Sequence, residues 1–343
     1  MKHPAIGPTP FVSEVPASAA ETLAPILAAA EIESASTVRY AGHASATVPT
    51  PDPEHKALTA ALTGFIYNFG YAHSKIPDAA TEPRADADFH AALSSANRSR
   101  ERWDPLWRVY QADSSLKLSV EKRGVHRQAA PGHYTFTSAP NRSAAGGDEV
   151  TVHAPKESAN VQPGFYFAFG ETLASEFDDA QLSRFYFNLA VSSVPELLAW
   201  ISTDLNRYRI PYRFKCLLDP ALYERRDPAV LYLGKRFVPA FLRLAAARRK
   251  ILRDQVRDGV PMFTKPLLRG VGAADEPGGG LSFGQSRSRM VAEGLVAAWL
   301  RGEERAAERL QSIAARFVAS GISMGTPWLS ESARDLYHWP EEN

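Results

Sequence analysis

The chain has 343 residues, 45% hydrophobic and 22% charged, with a formal net charge of +1, a composition that suits an ordinary globular protein with one large core or two modest ones. No run approaches the roughly 18 apolar residues that a bilayer span needs, and Met1 to Pro16 lacks the basic-then-apolar order of a signal peptide, so a cytoplasmic protein with no membrane contact is expected. The single cysteine, Cys216, excludes an internal disulfide and a cysteine-built zinc site and reads as a small buried residue.

Residues 1–50, rich in Pro, Ala, Ser and Thr, predict a loosely attached arm with one helix-like stretch from Ala19 to Ile32. Residues 51–115 predict a helical part, because Leu58, Leu62, Ile66 and Phe69 recur at helical spacing and Arg84 to Arg108 reads as a second, more polar helix. From Leu116 the period changes to two, opening an α+β core over residues 116–330. Strand-length runs follow at His133–Ser138, Glu149–His153, Gly164–Phe169, Arg184–Ala190, Tyr212–Leu218 and Ala229–Leu233, with a mobile hairpin loop over Ala139–Asp148. Helices are expected at Val194–Asn206, Val238–Val256, Ser282–Arg301 and Glu303–Ala319, and residues 331–343 as a tail. The fold class is α+β, with a central, mostly antiparallel sheet and helices before and after it.

The small net charge hides an asymmetry. Between Arg184 and Arg269 stand 17 Lys or Arg against 7 Asp or Glu, which favours a phosphate, an acidic peptide or nucleic acid as partner. Six of these cations, Arg243, Arg248, Arg249, Lys250, Arg253 and Arg257, share one helical segment and read as a solvated face. In Tyr212 to Leu218, strand alternation sets Arg213 and Lys215 on the face opposite Phe214 and Cys216, and in the preceding strand it sets Arg184, Tyr186 and Asn188 opposite Phe185 and Phe187. In a shared sheet these five make one cationic surface; a solvent-facing basic sheet is the competing reading. The connection from Asp219 to Pro228 adds Arg225 and Arg226, whose forks can grip a phosphate, with Asp227 as orienter or as surface partner. Arg269-Gly270-Val271-Gly272 and the glycines before Ser282 could offer backbone N–H groups to an anion at a helix start, although Ser282 also suits a simple cap.

The chain has no His-Glu-x-x-His, no Gly-x-Ser-x-Gly, no kinase set and no dinucleotide fingerprint after a strand. Among nine scattered histidines, His133, beside Thr135 and Thr137, is the one candidate acid, with a partly exposed structural histidine as the plainer account.

The order Arg184-Phe185-Tyr186-Phe187-Asn188, Phe214-Lys215, Tyr223-x-Arg225-x-Asp227 with Val230-Leu231-Tyr232, Pro261-x-Phe263-Thr264 and Ser282-Phe283-Gly284 resembles the HopA-type effector family over roughly Leu58 to Ala319. Related domains act as lyase partners in the biosynthesis of class V lanthipeptides and thioamide-containing peptides. The resemblance implies elimination of phosphate from phosphoserine or phosphothreonine in a ribosomal precursor peptide, giving dehydroalanine or dehydrobutyrine, after a separate kinase has installed the phosphate. Such chemistry needs a base, cations on the phosphate and an electrophile near the peptide carbonyl, and no metal, nucleotide or other cofactor. Lys215 is then the expected base, its pKa lowered by burial and by Arg213. Arg184, Arg213 and Arg225 are expected on the phosphate, joined by Arg269 or Arg287; Tyr186 or His133 as proton donor; and Asn188, Asp227, Tyr223 and Gly284 on the peptide. The apolar N-terminal helices would offer the kinase a docking surface. Three other readings remain at this point: a non-catalytic phosphopeptide- or leader-binding partner of a kinase, a phosphatase, and a nucleic-acid binder, the last disfavoured by the lack of interleaved surface aromatics.

Overall fold

The computed structural model describes residues 15–42, 44–47, 54–73, 84–137 and 143–340. Helix α1 (Ala17–Ala29) leads into a three-stranded antiparallel sheet of β1 (Ala30–Ser34), β2 (Thr37–Tyr40) and β3 (Ala44–Thr47). Helix α2 (Lys56–Phe65) widens into a π-helical turn over Ile66–Tyr71, and α3 (Ala87–Ala96) follows. Next come β4 (Arg102–Ala112), β5 (Leu118–Lys122), β6 (Val125–Ala129), β7 (Tyr134–Phe136) and β8 (Glu149–Ala154), a five-stranded sheet in the order β6-β5-β4-β8-β7.

The largest sheet has seven antiparallel strands. They are β9 (Glu157–Ser158), β10 (Phe165–Phe169), β11 (Leu182–Phe187), β12 (Tyr212–Leu217), β13 (Ala229–Gly234), β14 (Lys265–Leu268) and β15 (Val271–Asp275), in the order β14-β15-β11-β13-β12-β10-β9. Between them run α4 (Glu176–Ala180), α5 (Val194–Arg207), α6 (Val238–Ala247) and α7 (Arg249–Gln255), and α8 (Phe283–Leu300) and α9 (Ala306–Ala319) come after. The expected α+β class with helices around a mostly antiparallel sheet is the one observed.

Strand alternation gives this sheet two apolar interfaces rather than one. Phe185, Phe187, Phe214, Cys216, Leu231 and Leu233 bury one face against Leu197, Leu198 and Ile201 of α5 and Phe241 and Leu242 of α6. Each such buried Phe or Leu contributes about 1.5–3 kcal/mol. The opposite face is only partly open to solvent: Tyr186, Val230, Tyr232 and Ala274 pack with Tyr71, Phe283 and Phe263. Burial pushes the Cys216 thiol up to about 12, in keeping with an inert core residue.

Several expected elements are corrected. Residues 17–42 are not a loose arm, because Leu23, Ile26, Val38 and Tyr40 are buried with Leu295, Ile313 and Phe317 of the last two helices. Arg309 fixes the junction by donating to the carbonyls of Leu27 and Ala30 at 2.9 and 2.7 Å, satisfying the open end of α1. Residues 1–14, which include most of the segment inspected for a signal peptide, lie outside the described residues. The polar helix expected to reach Arg108 stops at Ala96, and Arg102 onward is a strand, since Trp107 and Val109 alternate inward and a bulge at Pro105-Leu106 absorbs the proline. The apolar face of α2, Leu58 and Leu62, is packed in the same cluster as Val291 and Leu295 of α8 and is not a vacant docking surface.

The hairpin loop at 139–148 falls partly outside the described residues; its later part is tied to β4 by Gly147 N–H to Val109 O at 2.7 Å. The helix expected over Val238–Val256 is broken at Arg248 into α6 and α7. Among the described residues no helix is long and apolar enough to cross a membrane. Finally, residues 331–340 are no tail: Tyr337 is fully buried, donates its hydroxyl to Asp275 at 2.5 Å and accepts from Ser183 at 2.8 Å, while Asp335 accepts from Lys265. Tyr337→Ala is therefore expected to cost about 3–5 kcal/mol, measured as a lowered urea midpoint at unchanged m-value, whereas a loose tail would leave the midpoint where it was.

Candidate functional site

The cations expected on one surface are brought together, with an unexpected strand among them. β13 lies between β11 and β12, so the register runs Ala274, Arg184, Tyr232, Arg213, Phe169 in one row and Gly272, Tyr186, Val230, Lys215, Phe167 in the next. These rows floor a cleft of about 430 Å³, walled by Tyr67 and Tyr71 from the π-helical turn, by Gln162 and Phe165, by Glu276, and by Gly280 to Ser282, Gly284 and Gln285 at the start of α8. The volume suits a small phosphorylated group or one residue of a peptide.

Tyr232 gathers the three cations. Its ring centroid lies 5.0 Å from the Arg184 guanidinium, 5.6 Å from that of Arg213 and 6.0 Å from Lys215 Nζ. An aromatic face attracts each cation without neutralising it, which offsets part of their mutual repulsion. Lys215 Nζ also sits 4.5 Å over Phe165 and donates to Gln162 Oε1 at 3.3 Å. Burial, and next the Arg184 charge, lower its pKa to about 8. The expected direction holds, and the main neighbouring cation is Arg184 rather than Arg213. Arg184 is only 8% exposed and is clamped through Nε and Nη2 by the Glu276 carboxylate. Arg213 is exposed and has no carboxylate partner among the described residues. The Tyr186 hydroxyl is buried in the cleft floor beside Tyr71 and Arg184, and burial raises its pKa, keeping its proton on at neutral pH.

Asp227 lines the cleft but is held by Arg225 in a bidentate pair at 2.8 and 2.9 Å, and the same guanidinium donates to Tyr67 Oη at 3.3 Å. Arg225 thus stands behind the wall, positioning Asp227 and Tyr67, and not at the phosphate position expected of it. Gly284 does line the cleft; a Cβ there would meet the rings of Tyr71 and Tyr67 at 2.5 and 2.7 Å, so only glycine lets α8 approach the tyrosine pair. Ser282 and Gln285 complete a reciprocal capping box, so the plainer reading of Ser282 as a helix cap describes its hydrogen bonds.

Five other expected residues lie elsewhere. Arg269 is in the Arg269-Gly270 turn between β14 and β15, paired with Asp258, because this glycine stretch is a hairpin and not a helix approach. Arg287 is 1% exposed and donates to the carbonyls of Pro327 and Leu329 at 2.7 and 2.9 Å, anchoring the C-terminal segment. His133 belongs to the five-stranded sheet, its ring 5.6 Å from that of His153. Tyr223 is buried on the α5 side of the large sheet and donates to Leu217 O at 2.9 Å. Asn188 lies beyond the end of β11 and donates to the carbonyls of Asp258 and Gly259.

Sequence reasoning missed Tyr67, Tyr71, Tyr232 and Glu276. The tyrosine pair carried a signal, since residues four apart on a helix stack, here at 5.4 Å between centroids, and π-helical turns recur at functional sites. Arg225→Ala would leave Asp227, largely shielded from water, an unpaired carboxylate, and a loss of about 3 kcal/mol in chemical denaturation is the expected outcome. A variant that weakens phosphopeptide binding with no loss of stability would instead mark Arg225 as a direct ligand.

Known proteins can now be set beside this geometry. The model of the HopA1 effector protein family matches residues 156–329. Among solved structures, the effector protein from Pseudomonas syringae pv. tomato strain DC3000 is similar at 15% identity, with 80% of this chain and 90% of that chain covered and a TM-score of 0.45. The effector protein from Pseudomonas syringae pv. syringae strain 61 is similar at 13% identity, with 78% and 88% covered and a TM-score of 0.43. No curated protein sequence matches the chain. The family match spans half of the chain and takes in the strands that carry Arg184, Arg213 and Lys215, so this chain belongs to the HopA1 effector protein family.

Proposed function

We propose that the chain is a phosphoserine/phosphothreonine lyase acting on a phosphorylated peptide made by a separate kinase. The observation that carries the reading is an amine with a pKa of about 8, Lys215, set in one cleft with Arg213, Arg184 and the protonated Tyr186 hydroxyl. The phosphate binds between Arg213, which has no carboxylate to displace, and Arg184, whose Nη1 is not used by Glu276. Neutral Lys215 Nζ takes the Cα proton, the Cα–H electrons form the Cα=Cβ bond, and the Cβ–O bond breaks with its electrons leaving on phosphate. The arginines stabilise the departing dianion, and Tyr186 Oη donates to the peptide carbonyl as charge develops there. The products are dehydroalanine or dehydrobutyrine and inorganic phosphate.

The pH dependence follows from the base. About a tenth of Lys215 is neutral at pH 7, so kcat/KM should climb with pH and level off above about 8. A bound phosphate dianion favours the ammonium form, so the inflection in kcat should lie higher than that in kcat/KM. Lys215→Ala is expected to lower kcat/KM by about 100-fold or more while leaving phosphopeptide affinity within a few-fold. Intact-mass analysis of a synthetic phosphothreonine peptide reads the reaction directly. Loss of phosphoric acid supports elimination, a regained hydroxyl would mean a phosphatase, and an unchanged peptide would mean a binding partner.

A further inference from the structure

A second cleft, of about 340 Å³, opens beside the first, and Arg213 and Tyr232 line both. Its far wall comes from another sheet: Arg102 at the start of β4, and Val125, His126 and Arg127 of β6. Successive side chains of a strand leave on opposite faces, so a cleft lined by three consecutive residues runs along the strand's edge. β6 is the edge strand of its sheet, and among the described residues no other backbone group bonds to its outer side. An extended peptide laid in the cleft would meet these open backbone groups.

Several cations elsewhere in the molecule are neutralised by carboxylates. Arg225, Lys235, Arg236, Lys265 and Arg301 each grip a carboxylate. Arg102, Arg127 and Arg213 have none within ion-pair distance among the described residues, and Arg127 instead rests 5.4 Å from the Trp107 ring centroid. Of the carboxylates in the lining, Asp178 is already held by Arg236, which leaves Asp179 against three arginines.

We propose that this second cleft holds an acidic stretch of the substrate peptide, with Asp or Glu side chains gripped by Arg102 and Arg127 a few residues from the phosphorylated one. The inference rests on the lyase reading of the first cleft. Arg213 joins the two: it stands two residues from Lys215 on β12, about 7 Å at the strand rise, a span that an extended peptide covers in two residues. Planar guanidinium forks match carboxylates in two parallel hydrogen bonds, and the same forks repel Lys or Arg in that position.

The test uses the full chain and fluorescent phosphothreonine peptides carrying Glu, Ala or Lys two and three residues from the phosphothreonine, on both sides. Affinity is read by anisotropy and turnover by mass, each with and without the phosphate. The Kd is expected to rise at least tenfold from the Glu to the Lys peptide, and to keep that order without phosphate. Arg102→Glu is expected to shrink or reverse the preference. Equal affinities for the three peptides overturn the proposal, as does displacement of the Glu peptide by a uridine oligonucleotide at lower concentration than by the unlabelled Glu peptide itself, which would make the cleft a nucleic-acid site. Because Arg127 packs on Trp107, no variant there is needed: the wild-type series decides. Charge-ordered binding with no phosphate loss keeps the acidic cleft and removes the lyase reading, and phosphate loss with no charge order does the opposite.

Discussion

Three positive charges and one aromatic ring set the rest of this structure. Arg184, Arg213 and Lys215 cannot be crowded into a half-buried cleft at no cost, because each repels the others and each loses water. The Tyr232 ring relieves both penalties partly, by presenting its electron-rich face to all three. β13 must therefore sit between β11 and β12, and the order of the central strands serves the charge arrangement as much as it serves the core. Glu276 and Asp227 complete the balance by pairing with Arg184 and Arg225, which leaves Arg213 and Lys215 as cleft cations with no carboxylate partner among the described residues. The low pKa of Lys215 follows from burial first and from the Arg184 charge second, so it depends on the same packing that brings the cations together.

Much of this was legible in the residues. β12 alternates Tyr212, Phe214 and Cys216 with Arg213 and Lys215, and a strand with one apolar and one charged face declares its own geometry. β11 does the same with Phe185 and Phe187 against Arg184 and Tyr186. β13 does not, because both of its faces are buried and Ala229 to Gly234 reads as a continuous apolar run, so Tyr232 passed as core. Pairing order is a long-range property, and nothing local to β11 and β12 says that a third strand lies between them. The α+β class and most strand positions came from period alone, whereas the β4 region deceived because its charged residues fit a polar helix until Pro105 and the inward Trp107 are weighed.

Arginine count misled in a different way. Arg287 and Arg269 stand near glycines, a setting that suits phosphate, yet one fastens the C-terminal carbonyls and the other pairs with Asp258 at a hairpin. Asn188 and Tyr223 flank motif residues in sequence and satisfy backbone groups of neighbouring loops. A polar side chain beside a site in sequence is as often bracing the backbone there as facing a ligand, and only the hydrogen-bond partner tells the two apart. Burial adds a further marker: a tyrosine hydroxyl buried among polar groups, as that of Tyr186 is, directs attention to the cleft floor.

The tyrosine wall bears on where the working unit begins. Tyr67 and Tyr71 belong to the N-terminal part of the chain, well ahead of residue 156 where the family match starts, yet they touch Gly284 and enclose the same space as Lys215. A fragment cut at the family boundary would keep every cation and lose one side of the chamber. Tyr186 and Phe283 would then face water, Lys215 would regain solvent, and its amine would move back toward an ordinary lysine. The cleft on the central strands is thus closed in part by a segment that shares no motif with them, and the boundaries of the chamber are wider than the boundaries of the resemblance.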